Sequence, residues 1–206
     1  MVSELKWEIR RMQNGGIRIT ITSAAKQPNQ LLRNARDYAE KFRKHLDKAG
    51  DFTEIRIHIN SAGGNANSAF GMMDVLDQAI RRTKVPVATL IEGTCGSAAT
   101  MALAAKGPTY ITAGSSVFVH RASMAKWARK KGVWAKIHER IGVDWVENYL
   151  MCTYRAACKY NGHRISRKQA REWMAAGTRF SAEEAVAAGL CTAIKSRDQF
   201  DREELR

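Results

Sequence analysis

Two glycine-rich segments constrain this chain more than anything else in it. One is Ile59-Asn60-Ser61-Ala62-Gly63-Gly64. The other is Gly93-Thr94-Cys95-Gly96-Ser97-Ala98-Ala99-Thr100. Each closes a strand-like run and opens a helix-like one. Alternating Ile55, Ile57 and Ile59 lead into the first, and the buried-type run Val85 to Ile91 leads into the second. A third apolar run, Val117-Phe118-Val119, ends in His120. Strands that alternate with helices in this way predict an α/β fold.

The rest of the pattern agrees. Residues 17–22 alternate apolar and polar, as a strand does. Leu31, Ala35, Tyr38, Ala39, Phe42 and Leu46 share one helical face, which Gly50 can end. Met72 to Ile80 reads as a helix, Ser97 to Ala105 as a small-residue helix, and Tyr110–Thr112 as a short strand. From 125 to 160 the pattern is helical, with Gly142 a candidate break. Ser166 stands three residues before Gln169 and Ser181 three before Glu184, so both read as helix caps. Leu190–Ile194 returns as a strand. The expectation is one domain over residues 1–206, with a core at about 17–194 and a charged, exposed tail at 195–206.

No apolar run is long enough to span a bilayer, so no membrane partner is expected. Cys95, Cys152, Cys158 and Cys191 lack zinc-ligand or CxxC spacing. They read as reduced thiols of a cytoplasmic protein, with a Cys152–Cys158 pair the one alternative. No metal and no cofactor is called for. The net charge of +14 favours an acidic partner or nucleic acid, or simply a highly charged solvated surface.

The three motifs also carry chemistry. A serine hydroxyl is a poor nucleophile without a neighbouring base. Ser97, at a tight strand-to-helix turn between Gly96 and Ala98, is a candidate nucleophile. A serine there is also an ordinary helix cap. Gly63-Gly64 can present unobstructed backbone N–H groups to an oxyanion, or form a simple tight turn. His120 can accept the serine proton and return it to a leaving group. It is better flanked for that work than His45, His58, His138 or His163.

In this order and spacing the motifs resemble the Clp protease proteolytic subunit (ClpP) family, and most of all its shorter phage and prophage members. Asn60-Ser61-Ala62-Gly63-Gly64 is similar to the family's Asn-Ser-Pro-Gly-Gly. Gly93 through Ala98 is similar to its glycine-to-serine segment, Phe118-Val119-His120 to its Met-Ile-His, and Phe180 through Leu190 to its late helix and strand. The resemblance runs from Ile17 to Ile194. It implies a crotonase-like superhelix of ββα units with a protruding helical handle region. It also implies serine peptidase chemistry on peptide or protein substrates in a homo-oligomeric ring. Carried across, Ser97 is the nucleophile, His120 the base, and the N–H groups of Gly64 and Ala98 the oxyanion hole. A phage context implies processing of head proteins.

The chain departs from that pattern at its third catalytic residue. The position of the family's acid holds Gly177, and no acid stands between Met174 and Phe180. Glu139, Asp144, Glu172 or Glu183 could substitute, or a water or backbone carbonyl could orient His120. Cys95 beside the serine reads as a small buried residue. The basic stretch Met1–Gly16 does not match the apolar pore segment of members that serve a AAA+ unfoldase, so none is expected. The segment after His120 is longer than usual by roughly two helical turns. It interleaves Arg121, Lys126, Arg129, Lys130, Lys131, Lys136 and Arg140 with Trp127 and Trp134, as a core or interface helix does, or a surface for an acidic partner. Two other classes stay open: a ring or scaffold subunit that has lost catalysis with the acid, and an acyl-CoA enzyme of the crotonase type.

Overall fold

The structure is a computed structural model. It describes the backbone of residues 2–26, 35–122 and 133–205. The chain runs β1 (Val2–Arg11), β2 (Ile17–Lys26), α1 (Ala35–Lys48), β3 (Ile55–Ser61), α2 (Ala66–Thr83) and β4 (Val87–Gly96). A 3₁₀ helix (Ser97–Ala104) follows, then β5 (Thr109–Ile111), β6 (Ser116–Phe118), α3 (Val133–Tyr160) and α4 (Arg167–Ala176). The last elements are β7 (Arg179–Ser181), α5 (Ala182–Ala187), β8 (Ala193–Ile194) and α6 (Arg197–Arg202). The mixed α/β expectation is met.

The sheet order is β1-β2-β3-β4-β5-β8. All neighbours are parallel except β1 against β2. Strand β4 changes partner along its length. Thr89–Ile91 pair with β5, and Thr94–Gly96 pair with β6. The change gives the end of β4, just before Ser97, a second neighbour in the small ladder of β6 and β7, while Cys95 stays in register with Ser61 of β3.

One sheet face carries the main core. Ile17, Ile19, Ile21, Ile55, Ile57 and Ile59 are all fully buried there, with Phe42 of α1 and Met72 and Leu76 of α2. Each such side chain contributes about 1.5–3 kcal/mol. The period-2 spacing read from the sequence is therefore the spacing that faces this core.

Several expectations need correction. Residues before Ile17 are not merely a basic lead-in, because Val2–Arg11 is a strand. Its Leu5 is buried, and its Trp7 packs edge-on against Phe42 at 5.0 Å. Gly142 does not break the helix, since α3 runs through it. One exposed glycine costs only about 1 kcal/mol, which 28 residues of helix absorb. Leu190 and Cys191 are not in a strand. Both their N–H groups go to the Ala185 carbonyl, which leaves only Ala193–Ile194 for β8. The four cysteines are free, Cys152 and Cys158 included.

The tail is corrected as well. Helix α6 opens on a Ser196 capping box and buries Phe200 completely against Ala88 and Leu90, on the sheet face opposite the main core. Buried Arg56 binds Glu54 at 2.7 Å and donates to the carbonyls of Phe200 and Glu203. Arg18 pairs with Asp201 at 2.9 Å. The sequence hid this because Phe200 is one aromatic residue among charges.

His58, on the same face, meets Glu92 through Nδ1 at 2.6 Å and faces Asp201 at 3.5 Å. Burial holds its pKa below the ordinary 6.5, and the hydrogen bond to Glu92 offsets this only in part. As pH falls, the unfolded chain therefore takes up this proton first. His58's share of stability is full above about pH 6.5 and is lost as pH drops toward its folded value. Thermal unfolding at about pH 7.5 and pH 5 should show a lower Tm in acid, with a smaller difference in His58→Gln. An equal difference in the two proteins would contradict this.

Candidate active site

The segment from Asn60 to Gly64 is held from several sides. The Asn60 side-chain oxygen accepts from the Thr94 N–H at 3.2 Å, which ties this turn to the end of β4. Ser61 Oγ accepts from the Gly63 N–H at 3.1 Å and shares a hydrogen bond of 2.5 Å with Ser23 Oγ. Ser23 in turn donates to the Gly63 carbonyl at 2.9 Å. Gly63 has φ 99°. A Cβ there would stand 2.5 Å from the Gly96 carbonyl oxygen, 2.6 Å from Ser97 Cβ and 3.0 Å from the Ala98 nitrogen. The two glycine-rich turns thus abut backbone to backbone. Gly64 follows on one and Ala98 on the other.

Ser97 is half-buried and begins the 3₁₀ helix. Its φ is +52°. A non-glycine residue in this region is strained by about 1–2 kcal/mol. The expected N-cap role falls instead to Gly96. The other such residue among those described, Lys84, simply caps α2.

His120 lies two residues past β6, where Phe118 pairs with Gly96 in register. Ser97 and His120 therefore extend from the same ends of adjacent parallel strands. The backbone around His120 is pinned on both sides. Val119 N–H donates to the Thr178 carbonyl at 2.8 Å and Arg121 N–H to the Met174 carbonyl at 3.0 Å. The imidazole stacks on Phe118 at 5.0 Å, and Arg179 caps the other ring at 4.9 Å. Among the described residues no hydrogen bond joins Ser97 Oγ to His120.

The His120 Nδ1 sits 2.6 Å from the Arg121 carbonyl oxygen. A carbonyl only accepts, so Nδ1 carries a hydrogen, and in the neutral ring Nε2 then has the lone pair. This is the tautomer a general base needs. A carboxylate would fix the same tautomer and also stabilise the imidazolium; a carbonyl dipole does the second more weakly.

Gly177 is the left-handed C-cap of α4, at φ 63° and ψ 53°. A Cβ there would approach only Phe118, at 4.0 Å. The position that resemblance assigns to an acid is therefore one ring away from His120 and carries no side chain. Among the described residues the other candidate acids are not bonded to His120. Glu172 pairs with Lys168 at 3.9 Å, and Glu183 accepts from Ser181 Oγ at 2.9 Å. Asp144 lines a polar pocket of about 470 Å³ with Glu147, Arg121 and Arg171. The Glu139 side chain, the Lys136 and Trp134 side chains, Lys126, Trp127, Arg129, Lys130 and Lys131 lie outside the described residues.

Cys95 is fully buried, and burial pushes its thiol well above the ordinary value, so it is no competing thiolate. No group of three or more His, Cys, Asp or Glu side chains able to hold a metal occurs among the described residues. No helix of those residues is long and apolar enough to cross a membrane. Sequence reasoning missed Asn60, Ser61 and Ser23 as braces. Asn60 and Ser61 stand inside the motif and could have been singled out, but nothing local marks Ser23.

The arrangement sets a strained serine beside a second backbone turn and puts an imidazole just past the end of the neighbouring strand, which is equipment for acyl transfer. A family model described as Clp protease matches residues 35–198.

Proposed function

This chain belongs to the Clp protease family, a family of peptidases, and we propose that it cleaves peptide bonds through Ser97 and His120. The observation that carries this is the φ of +52° at Ser97, in a turn whose neighbour strand leads to His120. Strain of this kind is retained where the surrounding structure enforces it, and it lifts a hydroxyl out of the backbone.

In the mechanism, Ser97 Oγ attacks the scissile carbonyl carbon while His120 Nε2 takes its proton. The oxyanion accepts from the N–H groups of Gly64 and Ala98. The tetrahedral species collapses, and the imidazolium protonates the leaving amine. Water then attacks the acyl-serine, with His120 again the base. The Arg121 carbonyl stands where a third catalytic group would orient the imidazole.

Assembly as a homo-oligomeric ring belongs to the same proposal. It is supported by Ile141 and Trp145 of α3, 60% and 57% exposed, with the Trp145 ring tilted against Phe70 at 4.2 Å. Processing of phage head proteins is the substrate assignment that the sequence resemblance suggests.

A fluorophosphonate probe, read by peptide mass spectrometry across a range of protein concentrations, tests this. A stoichiometric adduct on Ser97 is expected. It should be absent in Ser97→Ala and about 10²–10⁴ times slower to form in His120→Ala. No adduct on folded, assembled protein would leave the second reading, a ring or scaffold subunit without catalysis. The bare position of Gly177 favours that reading.

A further inference from the structure

The strained turn at Ser97 has a support that the catalytic proposal does not use. Thr100 Oγ1 donates to the Ser97 carbonyl at 2.5 Å. The same Oγ1 lies 2.9 Å from the hydroxyl of Tyr154, on α3. Thr100 has one hydroxyl proton, and the Ser97 carbonyl takes it. The Tyr154 O–H must therefore donate to Thr100 Oγ1. Both residues are fully buried. Burial also pushes the Tyr154 phenol well above its ordinary pKa, so it stays a donor at any working pH.

The Ser97 carbonyl and the Ala98 N–H belong to one planar trans peptide, and they point in opposite directions. A hydrogen bond that anchors the oxygen also aims the N–H. The oxygen is the end held by Thr100, and the N–H is the proposed oxyanion donor. On the other side of the turn, Gly63 stands against the Ala98 nitrogen. We propose that Tyr154, acting through Thr100, is a positioning residue that aims the Ala98 N–H and holds Ser97 in its strained conformation.

The role rests on the acyl-transfer reading, and it adds a consequence. Helix α3, 57 residues beyond Ser97 at Tyr154, becomes part of the nucleophile's support. Any shift of α3 against the 3₁₀ helix changes the aim of an oxyanion donor without touching substrate. Tyr154 stands in no motif, and Thr100 is the last residue of the second glycine-rich segment, after a run of small residues.

Fluorophosphonate labelling kinetics and peptide hydrolysis in the full-length protein test this, well below each variant's Tm. Tyr154→Phe keeps the ring and removes only the hydroxyl. It is expected to slow acylation and kcat by about ten- to a hundredfold, with KM changed by less than about twofold. Thr100→Val should do the same, and Thr100→Ser, which keeps the hydroxyl, should retain activity. Both members act through one hydrogen-bond chain. The double variant Tyr154→Phe/Thr100→Val should therefore be no slower than Thr100→Val alone. A Tyr154→Phe protein with lowered Tm but the wild-type labelling rate would show a purely structural hydroxyl and overturn the positioning role. A wild type that takes no label would instead overturn the acyl-transfer reading, and this role with it.

Discussion

Gly63→Ala is expected to slow acylation of Ser97 by about 10²–10³, the scale of losing one oxyanion donor. A methyl group there would meet the Gly96 carbonyl oxygen at 2.5 Å and the Ala98 nitrogen at 3.0 Å, both backbone atoms. Neither can swing aside as a side chain would. The φ of 99° adds strain for any residue with a Cβ. Relief requires the two turns to part, which separates the Gly64 N–H from the Ala98 N–H. Fluorophosphonate labelling rate is the direct measure. The effect should fall mainly on that rate, because the sheet beneath the turns is untouched and the main core stays packed. A Gly63→Ala protein that labels at the wild-type rate would mean that the two turns do not form one oxyanion site.

Gly107→Ala is expected to be the most destabilising glycine replacement, at about 3–5 kcal/mol. Gly107 follows the 3₁₀ helix and turns the chain toward β5. Its N–H donates to the Ala105 carbonyl at 2.7 Å. A Cβ on it would stand 1.8 Å from the Val87 carbonyl oxygen and 2.6 Å from the carbonyl carbon. Val87 is the first residue of β4, in the middle of the sheet, so the clash would displace a core strand. Denaturant unfolding should show a much lower midpoint or no folded protein at all. The control is Gly114→Ala. A Cβ at Gly114 meets nothing within 4 Å, so that variant carries only the strain of φ 78°. Equal losses in the two would contradict the steric argument.

The two predictions separate two jobs of glycine that look alike in sequence. Gly63 sits in a motif whose paired glycines signal a tight turn, although its own N–H goes to Ser61 Oγ. Gly107 has no motif. Close approach to Val87, twenty residues earlier, is what demands it. Similarly, the Ser181 capping box and the Ser166 cap were legible, because a cap is a contact over three residues. The strand Val2–Arg11 was not legible, because charged residues on an edge strand mask its alternation. Helix α6 was hidden for a different reason. Its anchor, Arg56, reaches it from 144 residues earlier in the chain.

The sequence by itself determined the local grammar: which runs alternate, which serines cap, where glycine must turn the chain, and the order of the three motifs. Through the family resemblance it also marked Gly177 as a position without an acid. The tertiary structure decided how those pieces meet. It set Gly63 against Ser97, and it gave Ser97 its strained φ. It turned the His120 Nδ1 to the Arg121 carbonyl, and it brought Tyr154 to Thr100. The physical reason is range. Periodicity and capping are written in residues three or four apart, whereas an active site is assembled from strand ends and helix faces that only packing brings together.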